Sequence, residues 1–264
     1  MSYSPWVVLH VPHDSTVVPE NVRHQFLLDD ADLARELLSM TDHHTLALFH
    51  DASSPVAVVR APVSRLVVDV ERFPDDADEP MAARGMGAVY SVNSQLEPLR
   101  RPLGAGERET LMRAYYEPHH TRLESAVDAA LARHGRCLVI DCHSFPDTAL
   151  PYERVDPRVV RPDVCIGTDD FHTGSALADA FVSAFRGAGW TVRLDDPFAG
   201  AMVPGSCYWR DPRVAAVMVE INRSLYLREE DASPLSAFAE VAATVRACCA
   251  RAIAESSLAA GPGD

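Results

Sequence analysis

Short apolar runs, each closed by a polar cluster, recur along the chain and set its predicted architecture. Bounded apolar runs rich in β-branched residues are typical of strands buried inside a sheet. The pattern therefore predicts strands at residues 6–11, 55–59, 63–72, 137–140, 164–168, 190–194 and 214–223.

Helical periodicity fills much of the chain between these strands. In one segment Leu33, Leu37 and Leu38 share a face, and acids stand in the first turn, where the helix dipole favours them. In a longer segment Pro118 is expected to kink or divide the helix, because its ring and missing N–H disturb a helix interior. Helices are predicted at residues 29–40, 106–135, 175–185 and 231–257.

Residues 73–93 show neither the two-residue period of a strand nor the 3.6-residue period of a helix, and they include the glycine-rich stretch Arg84-Gly-Met-Gly87. A long irregular segment inside a compact domain is usually functional or mobile, so we expect a lid or a substrate loop. No internal repeat, composition shift or linker divides the chain. The alternation of strands and helices therefore predicts one α/β domain over residues 1–264, with a tail at residues 261–264.

Composition places the chain among ordinary globular proteins, with 47% hydrophobic and 23% charged residues. None of the apolar runs approaches the roughly 20 residues that span a bilayer. The first residues lack the basic start and the apolar core of a signal peptide. We therefore expect a cytoplasmic protein without a membrane partner.

The charged residues narrow the classes of ligand. A formal net charge of −14 argues against nucleic acid or an anionic membrane as a partner. All 24 basic residues are arginines, which excludes Schiff-base lysine chemistry and a Walker-type phosphate loop. An anionic ligand would be held by arginine forks, which suit carboxylates. The six cysteines lack C-x-x-C spacing, so we expect buried free thiols.

Polar residues that can act in catalysis or metal binding lie at or near the ends of three predicted strands. His13 follows the first strand, and Asp141 and His143 follow the run at residues 137–140. Glu220 interrupts the last β-branched run. In α/β enzymes the chemistry lies outside the carboxyl ends of the strands. The alternative is structural, with the histidines in capped turns and Glu220 as a paired buried carboxylate.

Two further stretches concentrate charged and metal-binding side chains. Asp42 precedes two histidines between apolar segments, which is either a supply of metal ligands or an exposed helix terminus. On the predicted strand that ends at Arg72, the odd positions Arg65, Asp69 and Glu71 share one face. Such charge on a half-buried face needs either an internal ion-pair network or a ligand.

These residue types together match the requirements of a hydrolytic zinc site. Catalytic zinc commonly takes three protein ligands from histidine and carboxylate side chains and keeps one position open for water. A separate glutamate can take the proton of that water, and arginines can hold an anionic substrate and a developing oxyanion.

Seven short motifs follow one another over nearly the whole chain. They are Pro12-His13, Thr41-Asp42-His43-His44-Thr45, Asp69-Val70-Glu71-Arg72, Asp141-Cys142-His143-Ser144, Gly167-Thr168, Pro197-Phe198 and Glu220-Ile221-Asn222-Arg223-Ser224-Leu225-Tyr226. Their order resembles that of the N-formylglutamate amidohydrolase (N-formylglutamate deformylase) family, which is itself similar to zinc carboxypeptidases and aspartoacylases. Each motif alone is weak, and the shared order makes the resemblance specific.

The resemblance implies a three-layer α/β/α sandwich with a central mixed sheet, as in the zinc carboxypeptidases. It implies an amide hydrolase with one zinc ion, or another divalent metal, acting on a small anionic N-acyl amino acid. N-Formyl-L-glutamate, cleaved to glutamate and formate, is the first candidate substrate. A deacylase, a carboxypeptidase or a catalytically silent binding protein on the same scaffold are the alternatives.

Individual roles follow from the same resemblance. His13 and His143 match the two metal-binding histidines, and Glu220 matches the general base. Asp141 is expected to support the metal site without ligating. The arginines expected to bind the substrate carboxylate are Arg72, assisted by Arg65 or Arg223.

The sequence departs from the wider pattern at two positions. Thr16 stands where the carboxypeptidase motif H-x-x-E has its glutamate, so the acidic metal ligand is expected to be Asp42, with Asp14 as the alternative. Glu71 stands where the motif D-x-N-R has asparagine, which puts a negative charge near the expected carboxylate site.

Overall fold

A six-stranded mixed sheet lies at the centre of the computed structural model, which describes residues 3–52, 54–156 and 158–256. The predicted tail at residues 261–264 lies outside the described residues. The strands are β1 (Val7–Val11), β2 (Ala57–Arg60), β3 (Cys137–Phe145), β4 (Val164–Gly167), β5 (Val192–Leu194) and β6 (Val214–Asn222). Their order is β2-β1-β3-β6-β4-β5, in which the first four are parallel and β4 and β5 run in the opposite direction.

Helices cover both faces of the sheet. The α-helices are α1 (Glu20–Arg23), α2 (Asp30–Met40), α3 (Thr45–Phe49), α4 (Ala105–Leu111), α5 (Glu117–His134), α6 (Ser175–Gly187) and α7 (Phe238–Glu255). Short 3₁₀ turns form at Pro80–Arg84, Pro151–Glu153 and Arg223–Leu225. No helix in the described part of the chain is both long and apolar enough to cross a membrane.

Alternation along β3 decides which layer each side chain enters. Leu138 and Ile140 pack in the core shared with α3, α6 and α7, whereas Val139 packs with Leu123 and Val127 of α5. Side chains two residues apart on a strand point to the same face, so His143 continues the Val139 face. The three-layer α/β/α sandwich with a mixed sheet is confirmed, and the polar end of β3 lies on the α5 side.

The prediction of a strand at residues 63–72 is wrong. The segment folds as successive turns, with the amide of Val67 donating to Ser64 and that of Arg72 donating to Asp69. Its apolar residues are nevertheless buried, because Val67 packs in a separate core with Tyr90. A buried irregular segment has the same apolar composition as a buried strand, and periodicity alone does not separate the two.

Pro118 does not divide its helix. A π-helical turn at Met112–Tyr116 connects α4 directly to α5, and the proline occupies the first turn of α5. The π turn changes the backbone register just before the proline, where an ordinary helix would clash with the ring. The prediction of buried free thiols is confirmed, since all six cysteines are buried and unbridged.

Candidate functional site

The carboxyl ends of β1, β3 and β6 bring three predicted residues to one edge of the sheet. His143 on β3 lies opposite Glu220 on β6 in the parallel ladder, and His13 follows the end of β1, the other neighbour of β3. The rings of His13 and His143 are 5.1 Å apart between centroids. All three residues line one cavity of about 300 Å³.

His13 presents a free ring nitrogen to this cluster. Its Nε2 lies 2.8 Å from Oδ1 of Asp69, an acceptor, so Nε2 carries the proton and donates it. Its buried Nδ1 has no hydrogen-bond partner among the described residues. Burial, together with the charge of Arg65, lowers the pKa of His13. The ring is therefore neutral and keeps a lone pair on Nδ1, as a metal ligand requires.

Asp69 holds this part of the site together. Its carboxylate accepts hydrogen bonds from His13, from the amide of Glu71 at 3.0 Å and from Nη2 of Arg65 at 3.0 Å. The hydroxyl of Tyr90 also donates to it. Burial opposes ionisation, but the charge of Arg65 and the hydrogen bond from His13 outweigh it and hold the pKa of Asp69 well below its ordinary value.

Three carboxylates surround His143. Its Nδ1 lies 3.0 Å from Asp42 Oδ2, and its Nε2 lies 3.0 Å from Glu71 Oε1 and 3.1 Å from Asp141 Oδ1. Burial alone would lower the pKa of His143, but the charges of Glu71 and Asp141 raise it well above its ordinary value. The arrangement therefore favours a positive charge at this point, carried either by the ring or by a cation beside it.

His13, Glu71 and His143 form a candidate metal group. Each offers one ligand atom, and these atoms lie within 4.8 Å of one another. Two imidazoles and a carboxylate are the donor set of many catalytic zinc sites. The unpartnered Nδ1 of His13 lies 3.7 Å from Oε2 of Glu71, which fits an ion between them. His10, Glu71 and Asp141 form a second such group that shares Glu71.

Asp42, the expected acidic ligand, belongs to neither group among the described residues. Its Oδ2 accepts from His143 and lies 3.8 Å from Nδ1 of His13, and its Oδ1 accepts from Nη2 of Arg223 at 3.0 Å. Burial opposes ionisation, but the hydrogen bond from His143 and the charge of Arg223 outweigh it and lower the pKa of Asp42. Ligation by Asp42 stays a prediction. The alternative, Asp14, accepts from Arg60 and does not line the cavity.

Glu220 lies beside this cluster with an unused oxygen. Its Oε2 is buried and has no hydrogen-bond partner in the described ranges. Burial, reinforced by the negative charges of Asp42 and Glu71, raises the pKa of Glu220 to about 8. A cation bound nearby would lower this pKa, because opposite charge favours the ionised carboxyl group.

Arg65 and Arg223 line the cavity, and both also donate hydrogen bonds to the protein itself. The guanidinium of Arg65 donates to Tyr90 and Asp69. The guanidinium of Arg223 donates to Asp42, to the carbonyl of Ser39 at 2.7 Å, and to the hydroxyl and carbonyl of Ser144. Substrate binding by these two arginines stays a prediction.

Arg72 has more donors available. Its nearest carboxylates are Asp69 at 3.6 Å and Glu79 at 4.0 Å, both beyond normal hydrogen-bond length. Its buried Nε has no hydrogen-bond partner among the residues described. It lines the cavity with the metal group, so its position is compatible with binding a substrate carboxylate.

One residue beside the site, His10, was not recognised from the sequence. His10 donates or accepts at both ring nitrogens, 2.7 Å from Asp141 and 2.8 Å from His119, and so extends the cluster into α5. A histidine inside the apolar run of β1 was the available signal. His43 and His44, for which a supply of metal ligands was one of two interpretations, do not line this cavity, and both rings contact backbone carbonyls.

Comparison with known proteins places these features in a family. A protein-family model described as N-formylglutamate amidohydrolase matches residues 5–227. The fold is similar to that of N-formylglutamate amidohydrolase from Ralstonia eutropha JMP134, with a TM-score of 0.80 and 22% identity, covering 95% of this chain and 93% of that one. It is also similar to a gene product of Agrobacterium tumefaciens, with a TM-score of 0.62 and 22% identity, covering 93% and 90%. No curated protein sequence matches the chain.

Proposed function

The chain belongs to the N-formylglutamate amidohydrolase family, and we propose that it hydrolyses the amide bond of an N-formyl amino acid, with N-formyl-L-glutamate or a close analogue as substrate. Water is consumed, and formate and the free amino acid are released. The observation that carries the proposal is the candidate metal group of His13, Glu71 and His143 in the same cavity as the unpaired carboxylate of Glu220.

We assign one divalent ion, with zinc as the first candidate, to His13, Glu71 and His143. When bound, such an ion supplies Lewis acidity, which polarises a carbonyl group and acidifies water. Asp69 holds His13 in the tautomer that leaves Nδ1 free, and Asp42 takes the hydrogen bond from His143. Partners of this kind orient the ligands of a metal site. Asp42 thus supports the site in this proposal, in place of the ligation expected from the sequence.

Glu220 is the proposed general base. Its ionised carboxylate takes a proton from the attacking water as the water oxygen bonds to the formyl carbon. The carbon–nitrogen bond then breaks, and Glu220 delivers the proton to the leaving amine nitrogen. Its unpartnered Oε2 at the cavity wall leaves it able to accept that proton.

Arg72 is the proposed partner of the substrate α-carboxylate. An arginine fork binds a carboxylate bidentately, and the free donors of Arg72 meet this need. The negative charge of Glu71, which the sequence placed near the carboxylate site, lies instead 3.0 Å from His143. If Glu71 binds the metal ion, its negative charge would not repel a substrate carboxylate bound by Arg72.

Metal analysis of the purified protein combined with a substrate panel tests this function. We expect one zinc ion per chain, formate release from N-formylglutamate, loss of activity on chelation and recovery with added zinc. Chelator-resistant turnover by metal-free protein would contradict the metal assignment. Faster cleavage of N-acetylglutamate or of a peptide would instead identify a deacylase or a carboxypeptidase, and absence of both metal and turnover would indicate a binding protein.

A further inference from the structure

Arg84 is a cavity-lining arginine whose charge the protein leaves almost uncompensated. It ends the 3₁₀ turn Pro80–Arg84, is half-buried and lines the same cavity as Arg72. Its guanidinium makes one hydrogen bond, from Nη1 to the carbonyl of Tyr152 at 3.3 Å, and no carboxylate of the described ranges lies within 4.0 Å of it. A guanidinium carries five N–H donors, so most of its donors remain available to a ligand.

Three of the four carboxylates that line the cavity have other partners, and the fourth, Glu220, forms no ion pair with Arg84. Asp42 is bound by Arg223 and His143, and Glu71 lies against His143. Glu153, the neighbour of Tyr152, forms an ion pair with Arg161. None of these carboxylates compensates Arg84. A ligand carboxylate entering the cavity would therefore meet an arginine that has no competing protein anion.

The backbone that carries Arg84 is held in place by Glu79. The carboxylate of Glu79 accepts from the amide of Met81 at 2.9 Å and from that of Phe73 at 3.0 Å. It also lies 4.0 Å from Arg72, so one buried side chain ties both arginine-bearing segments together. Gly85 closes the turn in the left-handed region, with a φ of 79°. The two guanidiniums are thus presented to the cavity by a single constrained segment.

We propose that Arg84 is a specificity-determining residue that binds the side-chain carboxylate of the substrate while Arg72 binds its α-carboxylate. This inference rests on the proposed function and adds to it the residue that recognises the side-chain carboxylate. A dicarboxylic substrate carries two anionic groups, and two under-compensated arginines in one cavity supply a partner for each. The enzyme should therefore discriminate an acidic N-formyl amino acid from its neutral isostere.

The test compares N-formylglutamate with N-formylglutamine, which has the same shape without the side-chain charge. Arg84→Gln should lower kcat/KM for N-formylglutamate by about 10- to 100-fold, the loss expected for a hydrogen bond to a charged group. It should change kcat/KM for N-formylglutamine by less than about 2-fold. Arg133→Gln, at an exposed position on α5, is the matched control and should alter neither value.

Equal losses on both substrates, or no loss on N-formylglutamate, would overturn the role of Arg84. Calorimetry measures binding independently of turnover. It compares the affinities of the two compounds for the Glu220→Gln variant and for the double variant Glu220→Gln/Arg84→Gln. If the wild-type protein releases no formate, the proposed function fails, and the binding preference still decides the inference. Loss of a preference for the acidic compound in the double variant supports it, and an unchanged affinity ratio overturns it.

Discussion

Buried carboxylates orient both histidines of the candidate metal group. Asp69 holds Nε2 of His13, and Asp42 holds Nδ1 of His143. Each carboxylate has further donors, so neither is a lone buried charge. At the scale of single residues, the site therefore consists of ligand candidates and of the groups that fix their orientation, and substitutions should separate the two kinds.

Replacing Glu220 with Gln removes the proposed base while preserving the shape of the side chain. We expect kcat for formate release to fall by about 10²- to 10⁴-fold, the usual contribution of general acid–base catalysis. Metal content should not change, because Glu220 lies outside the candidate metal group. Glu240→Gln, at an exposed position on α7, is the control. Turnover near the wild-type value in Glu220→Gln would disprove the assignment.

The zinc affinities of two variants test which carboxylate, Glu71 or Asp42, is the direct metal ligand. Asp42→Asn should weaken zinc binding by about 10- to 100-fold, as for other groups that orient a ligand. Glu71→Gln should weaken it further, because a direct ligand is lost. Competition with a chromophoric chelator, on protein with native circular dichroism, measures both affinities. The reverse ranking would show that Asp42 is the acidic ligand, as expected from the sequence.

At the scale of elements, irregular segments contribute as much to the site as the strands do. The turns at residues 63–72 carry Asp69, Glu71 and Arg72, and the 3₁₀ turn that follows ends in Arg84. These turns lack the repetitive hydrogen bonds of a strand and depend on side chains that cap them. The expectation of a substrate loop at residues 73–93 stays a prediction.

Glu79→Ala tests whether this segment positions the arginines. Loss of a capping carboxylate costs about 0.5–2 kcal/mol of local stability, so KM for N-formylglutamate should rise by at most about 30-fold as the segment loses its position. The value of kcat should change less, since Glu79 does not line the cavity. Glu97→Ala, at an exposed position in the neighbouring loop, provides the comparison. An unchanged KM would mean that the segment keeps its position without the cap.

At the scale of the whole molecule, a half-buried histidine of α5, His120, links stability to pH. Nε2 of His120 donates to the carbonyl of Val70 at 2.8 Å, and the ring stacks on Tyr116. Burial lowers the pKa of His120 to about 4, against about 6.5 in an unfolded chain. Between these values the unfolded chain binds the extra proton, so the contribution to stability is complete above pH 6.5 and is lost as pH falls toward 4.

The free energy of unfolding should therefore fall by about 1–3 kcal/mol less between pH 7 and pH 4.5 in His120→Gln than in the wild type. The glutamine keeps a donor for the carbonyl of Val70. Urea unfolding at both pH values measures the difference. His134→Gln shows whether removing any histidine from α5 has this effect. The same pH dependence in His120→Gln and the wild type would exclude the contribution.

The elements of the sheet and the residues at its carboxyl edge were accessible from the sequence, because both depend on local order. Apolar runs mark the strands, and a polar residue that ends such a run must emerge at the edge of the sheet. This placed His13, His143 and Glu220 in one site, and the order of the motifs indicated the family. The extent of the domain over residues 1–264 stays a prediction.

Only the tertiary structure brought Glu71 against His143 and left Arg84 without an anion. Both residues lie on irregular segments, whose side-chain directions follow from packing and capping and not from any sequence period. For the same reason Asp42, the expected ligand, was found between His143 and Arg223. The local pattern of the chain therefore determined which edge of the sheet carries the chemistry, and long-range packing decided which carboxylates and arginines face the cavity.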